Sequence, residues 1–156
     1  MRTKAKQPKV EPLCIRWMLR RDMPDVLDID ERAFDWEFQW EEETYIRHLR
    51  QRNEIGMVAE RDGVIQGFIV YGLHKTRLEL FRIAVHPHFQ RQGVGRALME
   101  KLCGKLSPNR RNLITICVPE TQLNALLFFR AVGSLATGMR PDAFRDCEGI
   151  DMELGL

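Results

Sequence analysis

A strand, a short glycine-bearing loop and an amphipathic helix follow one another between residues 78 and 106, and this succession constrains the fold more than any other feature. Leu78–Val85 is rich in apolar and β-branched residues and is stopped by His86-Pro87. The loop reads Gln90-Arg91-Gln92-Gly93-Val94-Gly95, and Val94, Ala97, Leu98, Leu102 and Leu106 then fall on one helical face. Glycines at the mouth of a helix let backbone N–H groups approach an anion closely, and the helix dipole adds about half a positive charge there. Arg91 and Arg96 add whole charges, so a pyrophosphate is the natural ligand. No Lys-Ser/Thr follows the second glycine, which excludes a Walker loop. A dinucleotide fingerprint needs a first-strand position, and this loop comes late in the chain.

The remaining pattern predicts a sheet around this unit. Leu13–Leu19 reads as a first strand. Asp22 is expected to cap a helix carrying Val26, Leu27, Ile29, Ala33 and Phe34. A second helix is expected from about Glu41, with Tyr45, Ile46 and Leu49 inward. Ile55–Glu60 and Val64–Leu73 flank Asp62-Gly63, a strong hairpin signal. Leu113–Val118 is an unbroken apolar run and reads as a strand buried on both faces. Thr121 is expected to cap a fourth helix running to about Ala131 and stopped by Gly133. Leu135–Met139 and the alternating Ile150–Leu154 close the series. The order is β α α β β β α β α β β, an α/β (α+β) chain with a mixed sheet covered by helices.

Composition narrows the class. The 156 residues carry 24 Lys+Arg against 22 Asp+Glu, a net charge of +2, which argues against specific nucleic-acid binding as the default. No apolar stretch approaches ~18 residues, so no membrane partner is expected. Residues 1–12, with Arg2, Lys4, Lys6 and Lys9, read as a flexible basic tail, and 13–156 as one domain. Cys14, Cys103, Cys117 and Cys147 form no CxxC pair, so neither a metal site nor a disulfide framework is expected. They read as buried, reduced thiols in a cytoplasmic protein.

The stretch Leu-Glu-Leu-Phe-Arg-Ile-Ala-Val-His-Pro-His-Phe-Gln-Arg-Gln-Gly-Val-Gly-Arg-Ala-Leu (78–98) resembles the central motif of the GNAT superfamily of N-acetyltransferases. The order of elements agrees over about residues 13–154. Ile15-Arg16-x-Met18-x-x-x-Asp22 and Glu31-x-x-Phe34 with Trp40 resemble the ribosomal-protein-alanine N-acetyltransferase group. The resemblance implies a mostly antiparallel sheet of about six or seven strands, splayed at the cofactor site and flanked by about four helices. It implies acetyl-CoA as cosubstrate. The pyrophosphate is then expected on the backbone from Gln92 through Gly93, Val94 and Gly95 to Arg96, with Gln90 and Arg91 opening the loop. The pantetheine arm is expected to pair with Ile83, Ala84 and Val85 like an added strand. Gln122, with Asn124 as a second candidate, and Phe129 complete the expected cofactor contacts.

The chemistry needs a neutral amine, a route for its proton and a departing thiolate. Glu79 matches the position of a general base in histone-modifying relatives. Strict alternation places it with Phe81, Ile83 and Val85, where apolar neighbours would raise its pKa. Two positions depart from the resemblance. Phe129 stands where the family usually has a Tyr acid, and Cys117 where the ribosomal group has a Glu base. Losing a general acid commonly costs about 10²–10⁴ in rate, and water or Tyr71 could take over. The acceptor side is expected from Phe34, Trp36, Trp40 and Phe144. Asp35, Glu37, Glu41, Glu42 and Glu43 form an acidic run that suits a cationic acceptor or simply a solvated helix start. The leading expectation is acetyl transfer to a protein or peptide N-terminus. A small amine or polyamine acceptor, and a non-catalytic acyl-CoA-binding module, stand as alternatives.

Overall fold

The structure is a computed structural model and describes residues 9–156. The expected basic tail over 1–8 lies outside the described residues, and residues 9–12 are exposed and in no helix or strand. The elements run β1 Cys14–Trp17, α1 Met23–Ala33, α2 Glu42–Leu49, β2 Glu54–Arg61, β3 Val64–Leu73, β4 Arg77–Val85, α3 Val94–Cys103, β5 Leu113–Pro119, α4 Leu123–Ala131, β6 Leu135–Phe144 and β7 Cys147–Gly155. They form a seven-stranded sheet in the order β1-β2-β3-β4-β5-β7-β6. Only β4 and β5 are parallel neighbours, because α3 carries the chain back across the sheet between them. The β2–β3 turn has positive φ at both Asp62 (53°) and Gly63 (76°), the primed turn that matches strand twist.

Two apolar layers sandwich the sheet. Val94, Leu98, Met99 and Leu102 of α3 and Phe129 of α4 pack with Ile69, Leu78, Leu80, Ile114 and Ile116 on one face. Val26, Ile29 and Tyr45 of α1 and α2 pack with Val58, Phe68, Val70 and Ala84 on the other. This second layer stops at β4. Over β5–β7 the same face carries Thr115, Cys117, Asp151 and Glu153, which are half-buried.

Several expectations are corrected. β5 is not buried on both faces: Ile114, Ile116 and Val118 are buried while Leu113, Thr115 and Cys117 are half-exposed, since no helix covers their side. The last hairpin is longer than its apolar runs, because β6 extends through polar residues to Phe144. Gln122, not Thr121, precedes α4. Asp22 stands before α1 as expected, yet its carboxylate does not cap that helix. It turns back to accept from Leu19 N at 2.7 Å and from Arg16 Nη1 and Nη2 at 2.7 and 2.9 Å. Cys14 is exposed, and all four cysteines are free thiols.

Candidate active site

The site begins where two strands part. β4 and β5 pair from Arg77↔Leu113 to Leu80↔Ile116 and no further. Beyond that rung β4 still pairs with β3 as far as Val85↔Gly67, and β5 with β7 as far as Pro119↔Gly149. Each strand therefore keeps one unpaired edge, and the two edges face a cleft of about 1180 Å³. The split coincides with a bulge. Val70 pairs with Arg82 and Tyr71 with Leu80, so Phe81 has no partner on β3. An extra residue in one strand bends it and increases its twist. The bulge also breaks the alternation expected from sequence. Ile83 and Val85 lie on the α3 face with Leu80, whereas Phe81 packs with Ala84 on the α1 face.

The N-terminus of α3 closes one end of the cleft. Gly93 has φ 85° and Arg91 φ 61°, which turns the chain sharply into the helix. The first helical bond runs from Ala97 N to Gly93 O, so the N–H groups of Val94, Gly95 and Arg96 have no partner within the helix. The first turn carries no acid, and Arg91 and Arg96 lie on the cleft wall. A Cβ on Gly95 would stand 3.1 Å from the Phe128 ring, so any larger residue must push that ring back from the helix start. Gln90 Nε2 donates to Val85 O at 3.1 Å and fixes the loop to the strand end. Of the residues expected at a cofactor, Ile83, Ala84, Val85, Gln90, Arg91, Gly93, Val94, Gly95, Arg96, Gln122, Asn124 and Phe129 line the cleft. Gln92 does not; its Nε2 instead donates to His88 O at 3.1 Å. Free amides at a helix start, beside an unpaired strand edge, fit a pyrophosphate carrying an extended amide arm.

The segment between α1 and α2 forms the roof. Phe34 and Trp40 line the cleft, as does Phe144 from β6. Phe38 meets Phe144 edge-on at 6.0 Å, and Gln122 Nε2 donates to Asp35 Oδ2 at 3.3 Å. Trp36 is 83% exposed and does not line the cleft, contrary to expectation. Sequence reasoning missed what holds the roof down. Arg82 Nε and Nη2 both donate to Asp30 Oδ2, at 2.9 and 2.7 Å, and Nη2 also donates to Phe38 O at 2.7 Å. Trp40 N donates to Asp30 Oδ1 at 2.9 Å, and the Tyr45 hydroxyl donates to Oδ2. The Arg82 guanidinium lies 3.5 Å from the Phe34 ring centroid and 4.8 Å from that of Trp40. Burial holds the Tyr45 phenol well above its ordinary pKa. The missed signal was an arginine inside an otherwise apolar strand stretch and an aspartate on the inward face of α1.

A second, polar basin of about 490 Å³ opens on the uncovered face of β5–β7. It shares Leu80, Phe81, Ile116, Cys117 and Phe144 with the cleft, so the two meet at the split. Glu79 lines the basin and not the cleft. Its expected apolar setting is not found: Oε1 accepts from Arg77 Nη2 at 3.3 Å and lies 3.2 Å from His74 Nε2. Tyr71 is also corrected. It is 1% exposed, lines neither cavity, and its hydroxyl is buried without a partner among the described residues. Burial alone pushes its pKa up to about 12. Burial raises the Cys117 thiol as well; Arg140 pulls it down, and the Asp151 carboxylate beside it pushes it up again.

A cleft of this form, an open strand edge leading to a bare helix start, suits a transferase that takes its acyl group from a long anionic carrier. The model of the Acetyltransferase (GNAT) family matches residues 23–133, and the chain belongs to this family of acyltransferases. It is 27% identical over 128 residues to ribosomal protein bS18-alanine N-acetyltransferase of Escherichia coli strain K12, covering 82% of this chain and 84% of that protein. Among solved structures, the ribosomal-protein-S18-alanine N-acetyltransferase from Escherichia coli superposes with a TM-score of 0.78 at 25% identity, over 92% of this chain and 94% of that one. Ard1 from Thermoplasma volcanium shares the fold, with a TM-score of 0.79 at 23% identity over 92% and 97% of the two chains. Among the described residues no helix is long and apolar enough to cross a membrane.

Proposed function

We propose that the protein transfers the acetyl group of acetyl-CoA to the α-amino group of a protein or peptide N-terminus, by direct attack in a ternary complex. The parting of β4 from β5 above the free amides of α3 carries this reading. The amides of Val94, Gly95 and Arg96, with Arg91 and Arg96, would hold the pyrophosphate. The open edge at Ile83–Val85 would orient the pantetheine arm. Acetyl-CoA supplies an activated thioester, and a backbone N–H on that edge is suited to polarise its carbonyl. Phe129 offers no proton to the leaving thiolate; it excludes water instead, packed against Phe128 at 5.2 Å.

The acceptor would enter through the polar basin. Glu79, Asp151 and Glu153 line it with Arg77 and Arg140, a net negative lining that favours an ammonium, and Phe34, Phe38, Trp40 and Phe144 line the adjoining end of the cleft, where a short peptide would lie. The relatives' named acceptor, an alanine of a ribosomal protein, supports the peptide over a small amine. Free thiols at Cys103 and Cys117 are consistent with a reducing, cytoplasmic setting.

The test is mass-spectrometric detection of acetyl transfer to pooled N-terminal peptides and small amines, with CoA release followed in parallel. Acetylated peptide is the expected product. Acetylated spermidine-like amines without peptide would reassign the acceptor, and CoA binding without any product would remove the activity.

A further inference from the structure

The split between β4 and β5 opens just beyond Leu80↔Ile116, and Asp151 lies one strand away from it, on β7. Cys117 is the first residue of β5 beyond the last β4–β5 rung, and Asp151 is its cross-strand partner on β7. Both line the polar basin, and Cys117 also lines the cleft, so Asp151 neighbours the residue at which the two cavities meet. Arg140 Nη2 donates to Asp151 Oδ1 at 2.9 Å and fixes the side chain from the neighbouring strand. Asp151 keeps 31% of its side chain exposed, which gives a proton a way out to solvent. Glu79 is equally exposed, at 31%, but lies one rung inside the closed part of the ladder. It pairs with Thr115 inside the closed part of the β4–β5 ladder, and one of its oxygens meets both Arg77 and His74.

We propose that the Asp151 carboxylate is the base that deprotonates the acceptor ammonium, an assignment that rests on the acetyltransfer reading above. The ammonium gives one proton to Asp151, which passes it to solvent. The neutral nitrogen adds to the thioester carbonyl, forming the C–N bond. The C–S bond then breaks, and the thiolate takes the second proton from the acylated nitrogen. The sum is ammonium plus thioester giving amide, thiol and one solvent proton. No side-chain acid is needed, which accommodates Phe129. The charged and titratable groups facing Asp151 are Arg77 and Glu79 from β4, Cys117 from β5, Arg140 from β6 and Glu153 from its own strand.

The experiment compares the full chain with Asp151→Asn, Asp151→Glu, Glu79→Gln and Arg140→Gln. It uses the best peptide from the pool and measures kcat/KM from pH 6 to 9.5 and CoA binding by calorimetry. Asp151→Asn is expected to lose about tenfold in kcat/KM at pH 7, because about a tenth of a terminal amine is already neutral there, with CoA affinity within about twofold. The loss should shrink as pH rises, because a neutral amine needs no base. Asp151→Glu should recover part of the rate. Arg140→Gln breaks the same ion pair but keeps the carboxylate, and should lose under about threefold at pH 7, as should Glu79→Gln. A loss in Asp151→Asn that is equal at every pH, or matched by Arg140→Gln, would mark a structural role and overturn the assignment. So would a larger loss in Glu79→Gln. If the unsubstituted chain acetylates nothing, the acetyltransfer reading fails first and takes this one with it.

Discussion

Arg82 grips Asp30 across 52 positions of the chain, with Nε and Nη2 converging on one carboxylate oxygen at 2.9 and 2.7 Å. The pair joins the middle of the central sheet to α1, and both residues are buried, at 8% and 1% exposure. Removing one partner strands the other charge. Asp30→Ala is therefore expected to destabilise the fold by about 3–5 kcal/mol in urea unfolding. A double change to Asp30→Asn with Arg82→Met should cost clearly less than the sum of the two singles. Additive losses would show that the ion pair is not the unit.

Asp22 makes stability depend on acid. Arg16 hydrogen bonds, aided by the Leu19 N–H, hold its carboxyl below the ordinary value of 3.8 despite burial. The folded state thus binds fewer protons than the unfolded state in that range. The stabilisation is present above the unfolded pKa and lost as pH falls through the folded one. Urea midpoints should fall as pH drops from 5 to 3, and Asp22→Asn should flatten part of that slope while lowering the midpoint at pH 7. An unchanged slope would assign the acid sensitivity elsewhere.

Gly95→Val tests the helix start. The new side chain must push against Phe128, whose ring lies 3.1 Å from a Cβ at this position. CoA binding is expected to weaken about tenfold by calorimetry, which is about 1.4 kcal/mol. Phe128→Ala in the same chain should return much of that affinity by restoring room. Failure of the rescue would mean that the valine blocks the ligand directly.

Tyr71→Phe deletes a hydroxyl that is buried without a partner among the described residues. Leaving such a group unpaired costs about 1–3 kcal/mol, so the variant should unfold at equal or higher temperature. Acetyl transfer should continue, since Tyr71 lines neither cavity. A collapse in rate would place the hydroxyl on the proton path after all.

Thiol labelling should report the cleft. Cys14 is exposed and should alkylate first, while burial raises the Cys103 and Cys117 thiols and slows both. CoA should slow Cys117 further, because that residue lines the cleft. Equal rates at Cys14 and Cys117 would contradict the described burial.

The sequence pattern carried the order of elements, because each strand and helix had its own period and punctuation. Val64–Leu73 and the start of α3 fell where hydrophobic spacing and glycine placed them. Most residues expected at a cofactor sit together for the same reason: they lie in one continuous stretch around Gly93. Long-range pairings were not legible. Nothing local to Arg82 names Asp30, and nothing near Cys117 names Asp151; both partners are set by packing and register. The bulge at Phe81 was hidden too, since one extra residue leaves the apolar run of β4 intact while moving its side chains to other faces. That is why Ile83 and Val85 were placed on the face of Glu79, which they do not share.

The gap between β4 and β5 bears on solubility as well. Unpaired strand edges are templates for a foreign strand, and proteins commonly blunt them with charge, proline or a covering segment. Here the exposed backbone of both strands points inward across one narrow opening. The Phe34–Trp40 segment lies above it, and Phe38 meets Phe144 at the far wall. A rigid second sheet cannot lie flat against such an edge, whereas a single slender chain can thread beneath the roof. At this split the chain keeps hydrogen-bonding capacity open for one thin guest without offering these two inner edges to copies of itself, unlike the outer edges at β1 and β6.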